Sequence, residues 1–161
     1  LMSIVTRDVD TLLLPLAAPV AVCEAAGPAT RIKWPNDIWL GEGRKLAGIL
    51  IEGRPQDGWA VVGIGLNVGE PPEEVRDIAA SLGGNREQLL APLLVALERW
   101  FSTSAEEIVA AWRERDALLG SQIEWNGGKG IAAGIAESGG LLVDTAKGRV
   151  ELDAGEVHLG R

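Results

Sequence analysis

The sequence predicts an α+β protein in which a mixed β-sheet flanked by helices, residues 1–118, is followed by a small β-barrel, residues 119–161. Three observations lead there. Residues 31–69, RIKWPNDIWLGEGRKLAGILIEGRPQDGWAVVGIGLNVG, alternate short β-prone runs with Gly, Pro and Asn-Asp turns. Residues 86–114 carry apolar side chains at three- and four-residue spacing, the period of a helix. From Gly120 the chain becomes five short β-prone pieces at regular spacing with glycine turns, the pattern of a small barrel.

Composition bounds the rest. At 161 residues, 47% hydrophobic and 24% charged, the chain can bury a core and hold a small second domain. A net charge of −8 argues against a general nucleic-acid or anionic-membrane surface. A single cysteine excludes an internal disulfide and a zinc cluster; Cys23, in an apolar helical stretch, reads as a small buried hydrophobe. There is neither a signal peptide nor an apolar run long enough to span a bilayer, so a cytoplasmic location is expected.

Taken in order, residues 1–6 are β-prone. Asp8-Val9-Asp10 offers a cap for the apolar stretch 12–26, which Pro15 and Pro19 divide; the expected helix starts near Pro19, at a position that tolerates proline. Gly27-Pro28 ends it. Residues 31–40 form a strand, a turn at Pro35-Asn36-Asp37 and a second run, Ile38-Trp39-Leu40; Gly41-Glu42-Gly43 reverses the chain into a strand over 46–52. After a loop, 59–68 reads as a buried strand. Pro71-Pro72-Glu73-Glu74 opens a segment ending at Gly83-Gly84, expected to hold one helix or two short ones. Asn85 caps a helix whose stripe is Leu89, Leu90, Leu93, Leu94, Leu97, Trp100 and Phe101, and Ser104 with Glu107 forms a capping box for another, with Ile108, Val109 and Trp112 inward. The barrel strands are expected over 121–125, 130–136, 141–144, 149–152 and 157–159, with His158, the one histidine, pointing to solvent.

The chemistry concentrates at the strand ends of 31–69. Gly48, Gly63 and Gly65, on neighbouring strands, would clear a flat slot beside Lys45, Asp37 and Asn67. A lysine there could neutralise two anions brought together, a carboxylate could orient polar groups or Mg²⁺, and Asn36 and Asn67 each offer a donor and an acceptor. Taken singly, each of these is more often a solvated surface residue. Trp34 and Trp39 are more often core or rim aromatics, and Arg44 can simply cap the hairpin. It is their joint occurrence that points to a site.

The strings KWPND, RKLAGIL and GIGLN, in this order and at these separations, closely resemble the core of the biotin protein ligases, the bacterial biotin–[acetyl-CoA-carboxylase] ligases, and the resemblance extends along the whole chain. It implies a class II synthetase-like catalytic domain with an SH3-like C-terminal barrel. It also implies ATP-dependent activation of biotin to biotinyl-5′-AMP, with Mg²⁺, and transfer to a lysine of the biotin carboxyl carrier protein. On the matched positions, Lys45 and Asp37 are the expected catalytic residues, with Asp37 a possible Mg²⁺ ligand. Lys33, Trp34, Pro35, Asn36, Asp37, Arg44, Lys45, Gly48, Leu50, Gly63, Gly65, Leu66 and Asn67 are the expected biotin- and nucleotide-binding set. The GRGRRG-type loop of the family, its ureido-binding Ser/Thr and Gln segment and the N-terminal DNA-binding domain of some members are not found in this sequence. The expectation is therefore a ligase lacking its N-terminal part, weakly active or inactive alone, not DNA-binding, and able to pair through a bare sheet edge as a homodimer. A non-catalytic module that docks carrier domains, or a lipoate-type ligase, are the alternatives.

Overall fold

The computed structural model describes residues 1–7, 10–41 and 43–160; Asp8 and Val9 of the expected cap, Glu42 of the expected reversal and Arg161 lie outside them. The first sheet has five strands, β1 (Met2–Arg7), β2 (Thr30–Lys33), β3 (Asp37–Leu40), β4 (Arg44–Arg54) and β5 (Trp59–Leu66), in the order β1-β5-β4-β3-β2. All four pairings are antiparallel, and the parallel contacts described are two isolated bridges, Ile32 with Asp116 and Lys45 with Ala79.

Alternation along the strands separates two faces. On β5, Ala60, Val62 and Ile64 are buried while Val61, Gly63 and Gly65 face the other way. The buried face packs on α1 (Leu14–Ala26), which is in turn covered by α2 (Arg86–Phe101) and α3 (Ala105–Glu114). Being enclosed on all sides, α1 is apolar all round, with every residue from Leu16 to Cys23 buried. It starts at Leu14 rather than near Pro19. Pro15 occupies the first turn, where its missing N–H costs nothing, and Asp10 holds the preceding turn by accepting from Leu12 N–H at 3.0 Å. Pro19 is tolerated inside the helix because burial against both layers outweighs the one hydrogen bond it forfeits.

Asn85 and Ser104 cap α2 and α3 as expected, accepting from Glu87 N–H at 2.8 Å and Glu107 N–H at 3.4 Å. On α2 the inward stripe is Leu93, Ala96 and Leu97, flanked by the half-buried Leu89 and Trp100; Leu90 and Leu94 are exposed. Residues 71–84 hold only a short 3-10 turn, Glu73–Val75, instead of the expected helix. Their backbone is claimed by the sheet: Lys45 N–H donates to Ile78 O, Ala80 N–H to Lys45 O, and Leu82 N–H to Asn67 O, all within 2.8–3.1 Å.

The second sheet, in the order β10-β6-β7-β8-β9, is formed by β6 (Gln122–Trp125), β7 (Gly128–Ile135), β8 (Leu141–Thr145), β9 (Gly148–Leu152) and β10 (Val157–Leu159), all antiparallel. A bulge in β7 near Gly134 bends it around a core of Ile123, Ala132, Ile135, Leu141, Val143 and Val157. It meets the first unit through two side chains, Arg113 of α3 donating to Ile135 O at 2.8 and 3.3 Å and the Trp34 indole N–H donating to Gly139 O at 3.0 Å. The segment that leads into it is held to β2 by Ile32 N–H to Arg115 O and Ala117 N–H to Ile32 O, 2.7 and 2.9 Å. Cys23 is fully buried, which pushes its thiol upward and leaves it inert, and His158 is exposed. No described helix is long and apolar enough to cross a membrane.

Candidate functional site

The outward face of the first sheet carries the polar groups. Across β2, β3, β4 and β5 the register aligns Lys33, Asp37, Gly48 and Gly65 in one row, and Leu50, Gly63 and Ser3 in the next. Gly48 and Gly65 contribute no side chain to the first row and Gly63 none to the second, so the floor at these three positions is bare backbone: a Cβ at Gly65 would lie 3.7 Å from Gly48 O and one at Gly63 3.5 Å from Leu50 O.

Lys45 joins this face because of an irregularity. In a regular strand, residues 45 and 48 would point to opposite sides. The register steps from Ile38 opposite Ala47 to Trp39 opposite Lys45, so Leu46 is an extra residue, and both Leu46 and Ala47 are buried. The bulge turns Lys45 onto the glycine face, where its Nζ lies 2.7 Å from Asp37 Oδ1. It also leaves the Lys45 backbone free to bind residues 78–80. A Cβ at Gly48 would stand 3.3 Å from Lys45 Cε and Nζ and 3.7 Å from Asp37 Oδ1, so glycine there leaves room for the pair. Asp37 is largely shielded while Lys45 is half exposed, presenting its charge to whatever enters. Lys33 lies over the Trp39 ring, 5.8 Å from its centroid, adding a second cation in a chain of net charge −8.

These groups line a cleft of about 490 Å³. Of the residues expected from the sequence, it gathers Lys33, Pro35, Asn36, Asp37, Lys45, Gly48, Leu50, Gly63 and Gly65. Four others stand outside its wall. Trp34 is 3% exposed and points back into the core, its indole N–H donating to Gly139 O at 3.0 Å. Arg44 begins β4 opposite Leu40, exposed at the hairpin. Leu66 lines a separate apolar cavity of about 250 Å³ with Met2, Ile64 and Leu93. Asn67 is exposed at the end of β5, and its amide nitrogen is spent on Ala80 O at 3.1 Å and Lys45 O at 3.4 Å, tying residues 78–80 to the strand that carries the lysine. Asn36 is similarly a brace, with its Nδ2 donating to Ile49 O and its own carbonyl accepting from Ile49 N–H, both at 2.9 Å. Each amide oxygen remains available as an acceptor.

The cleft also takes in Leu1, Ser3, Ile49 and Glu156, which were not expected. Ser3 enters through the antiparallel pairing of β1 with β5, opposite Gly63. Glu156 comes from the turn between β9 and β10, and no local pattern marks it. As for a metal, no group of three His, Cys, Asp or Glu side chains is gathered among the described residues. Asp37 is one carboxylate already paired to Lys45, which suits a Mg²⁺ ion that arrives with phosphates rather than one caged by protein.

Comparison with known proteins follows the same lines. Residues 13–68 match the family model described as Biotin/lipoate A/B protein ligase family, and residues 120–160 match Biotin protein ligase C terminal domain. A biotin–[acetyl-CoA-carboxylase] ligase of Mycobacterium tuberculosis is 37% identical over 170 aligned positions, covering 91% of this chain and 62% of that protein. Among solved structures, the apo biotin protein ligase of Aquifex aeolicus superposes with a TM-score of 0.83 at 29% identity, covering 98% of this chain and 81% of that one. The same Aquifex aeolicus enzyme in complex with biotin and ATP superposes with a TM-score of 0.78, covering 99% and 77%. The chain thus spans less than two thirds of the length of the curated relative, and with both family models matched in order on one fold it belongs to the biotin protein ligase family.

Proposed function

We propose that the cleft on the glycine face is an adenylation site, in which biotin is activated by ATP to biotinyl-5′-AMP for transfer to a lysine of a biotin carboxyl carrier protein. The observation that carries this reading is the Lys45–Asp37 pair held over Gly48 beside a floor without side chains. A slot of bare backbone suits a flat bicyclic ligand, and its charged end suits the carboxylate of that ligand's tail. The Mycobacterium tuberculosis relative is named a biotin–[acetyl-CoA-carboxylase] ligase, and the Aquifex aeolicus relative was solved with biotin and ATP.

In the first step a carboxylate oxygen attacks the α-phosphorus of ATP and pyrophosphate leaves. Two anions must meet, and Lys45 Nζ between them offsets their repulsion and the charge that develops on the phosphorus oxygens. Asp37 holds the ammonium in place until the ligands arrive. Lys33 adds positive charge at the mouth, and the free amide oxygens of Asn36 and Asn67 accept from the nucleotide. Mg²⁺, bound with the phosphates, would supply further neutralisation of the triphosphate, with Asp37 the carboxylate nearest to hand. In the second step the lysine amine attacks the acyl carbon, AMP leaves with the C–O bonding pair, and the amine loses a proton. The catalytic unit is assigned to residues 1–118 and the barrel to residues 119–161, and the use of ATP and a carrier protein fits a cytoplasmic setting.

Titration of the chain with a non-hydrolysable biotinyl-adenylate analogue, with the lipoyl analogue beside it, tests the assignment. Binding of the biotin compound at least tenfold tighter than the lipoyl one, weakened in Lys45→Ala, is expected. Equal affinity for the two, or no effect of Lys45→Ala, would overturn it.

A further inference from the structure

The turn that carries Asn36 and Asp37 is fastened to the C-terminal sheet by one side chain. Trp34 sits directly before that turn, is 3% exposed, and donates its indole N–H to Gly139 O across 105 residues of sequence. A buried indole N–H is costly to leave unpaired, so this bond ties the position of the ring to the position of that carbonyl. Gly139 is itself clamped. It lies in the turn between β7 and β8, where Ala136 N–H donates to Gly140 O and Gly139 N–H to Ala136 O, at 2.9 and 3.1 Å. Its φ of +90° excludes most side chains, and a Cβ there would approach Leu16 of α1 to 3.3 Å. The carbonyl that receives the indole is thus held in a hydrogen-bonded turn.

We propose that Trp34 is a positioning residue through which the C-terminal barrel sets the Pro35-Asn36-Asp37 turn, and with it the Asp37–Lys45 pair, so that the barrel supports the activation step through a link that does not itself touch the substrate. The proposal rests on the adenylation reading of the cleft for its kinetic consequence, though not for its structural one. The chain of contacts runs from Gly139 O to Trp34, then to Asn36, braced to Ile49 by two 2.9 Å bonds, then to Asp37 and Lys45. Catalytic groups must be held to fractions of an ångström, and one buried hydrogen bond sets a scale of roughly fivefold for losing that hold.

Trp34→Phe keeps an aromatic ring and removes the donor together with the five-membered part of the indole, while Gly139→Ala displaces the acceptor against Leu16. Each is expected to lower kcat for adenylate formation by roughly five- to tenfold with KM for biotin and ATP within about twofold, and to speed hydrogen exchange at the Ile49 amide, which is bonded to Asn36 O. The double variant should be no slower than the slower single one, because both break the same link. Val150→Ala on β9, away from the link, should change neither reading. Wild-type kcat and wild-type Ile49 exchange in Trp34→Phe, or losses that multiply in the double variant, would overturn the proposal. If the wild type forms no adenylate, the reading of the cleft fails by itself, and the exchange rates in the same variants still decide whether the barrel holds the turn.

Discussion

Lys45 is a half-exposed lysine that makes one ion pair and fills no core space. Lys45→Ala should abolish adenylate formation yet move the melting temperature by less than about 2 °C, as surface substitutions do; a large drop would mark the residue as structural. Gly48 has an ordinary backbone conformation, so alanine there folds, but its Cβ meets Lys45 Nζ at 3.3 Å. Gly48→Ala should keep the melting temperature and lose roughly tenfold or more in kcat, since small misplacements of a catalytic group cost up to about a hundredfold; an unchanged rate would show that the lysine has slack. Asn67→Ala frees residues 78–80 and removes an acceptor, so it should weaken ATP binding more than biotin binding in paired titrations; equal weakening would contradict a nucleotide role. The residue types of the site were legible in the sequence because KWPND, RKLAGIL and GIGLN each place charge or glycine at a strand end. What was not legible is that Trp34 and the two asparagine amides spend their donors on backbone carbonyls, since their partners lie 13 to 105 residues away.

The bulge at Leu46 decides which face Lys45 occupies, and nothing in Arg44-Lys45-Leu46-Ala47-Gly48 announces it. Helices were read more safely. Caps at Asn85 and Ser104 are local chemistry, whereas residues 71–84 look helical by composition and are drawn out by bonds to Lys45 and Asn67 that no local pattern contains. The segment leaving α3 offers a pH test. Asp116 accepts from Leu118 N–H at 2.8 Å through Oδ1, but its Oδ2 is buried without a partner, and burial raises its pKa above the usual 3.8. The folded state then binds this proton more tightly than the unfolded chain, so the stability tied to it is present at low pH and is lost as pH climbs from about 4 through the raised value. Asp116→Asn keeps the accepting oxygen and cannot ionise. Its melting temperature relative to wild type should therefore rise with pH across that window; a difference that stays flat would show that the carboxylate is stabilised in a way burial does not account for.

At the scale of the whole molecule, five strands at short intervals after Gly120 made the second sheet readable, because each turn carries its own glycine signal. How that sheet meets the first was not readable. The junction is made by one guanidinium and one indole, Arg113 to Ile135 O and Trp34 to Gly139 O, and it brings Glu156 to a cleft whose other charged side chains lie more than a hundred residues earlier. The cleft sets two lysines beside two carboxylates, Asp37 and Glu156, so within an acidic chain it holds cations that phosphate and carboxylate ligands can meet, and overall charge says little about the site. The most direct test of the account is mass-spectrometric detection of biotinyl-5′-AMP after incubating the chain with biotin and MgATP, with Lys45→Ala as the control and lipoate as the competing acid. The account predicts slow, biotin-specific formation of the adenylate that disappears in Lys45→Ala; an equal yield from Lys45→Ala, or a preference for lipoate, would contradict it.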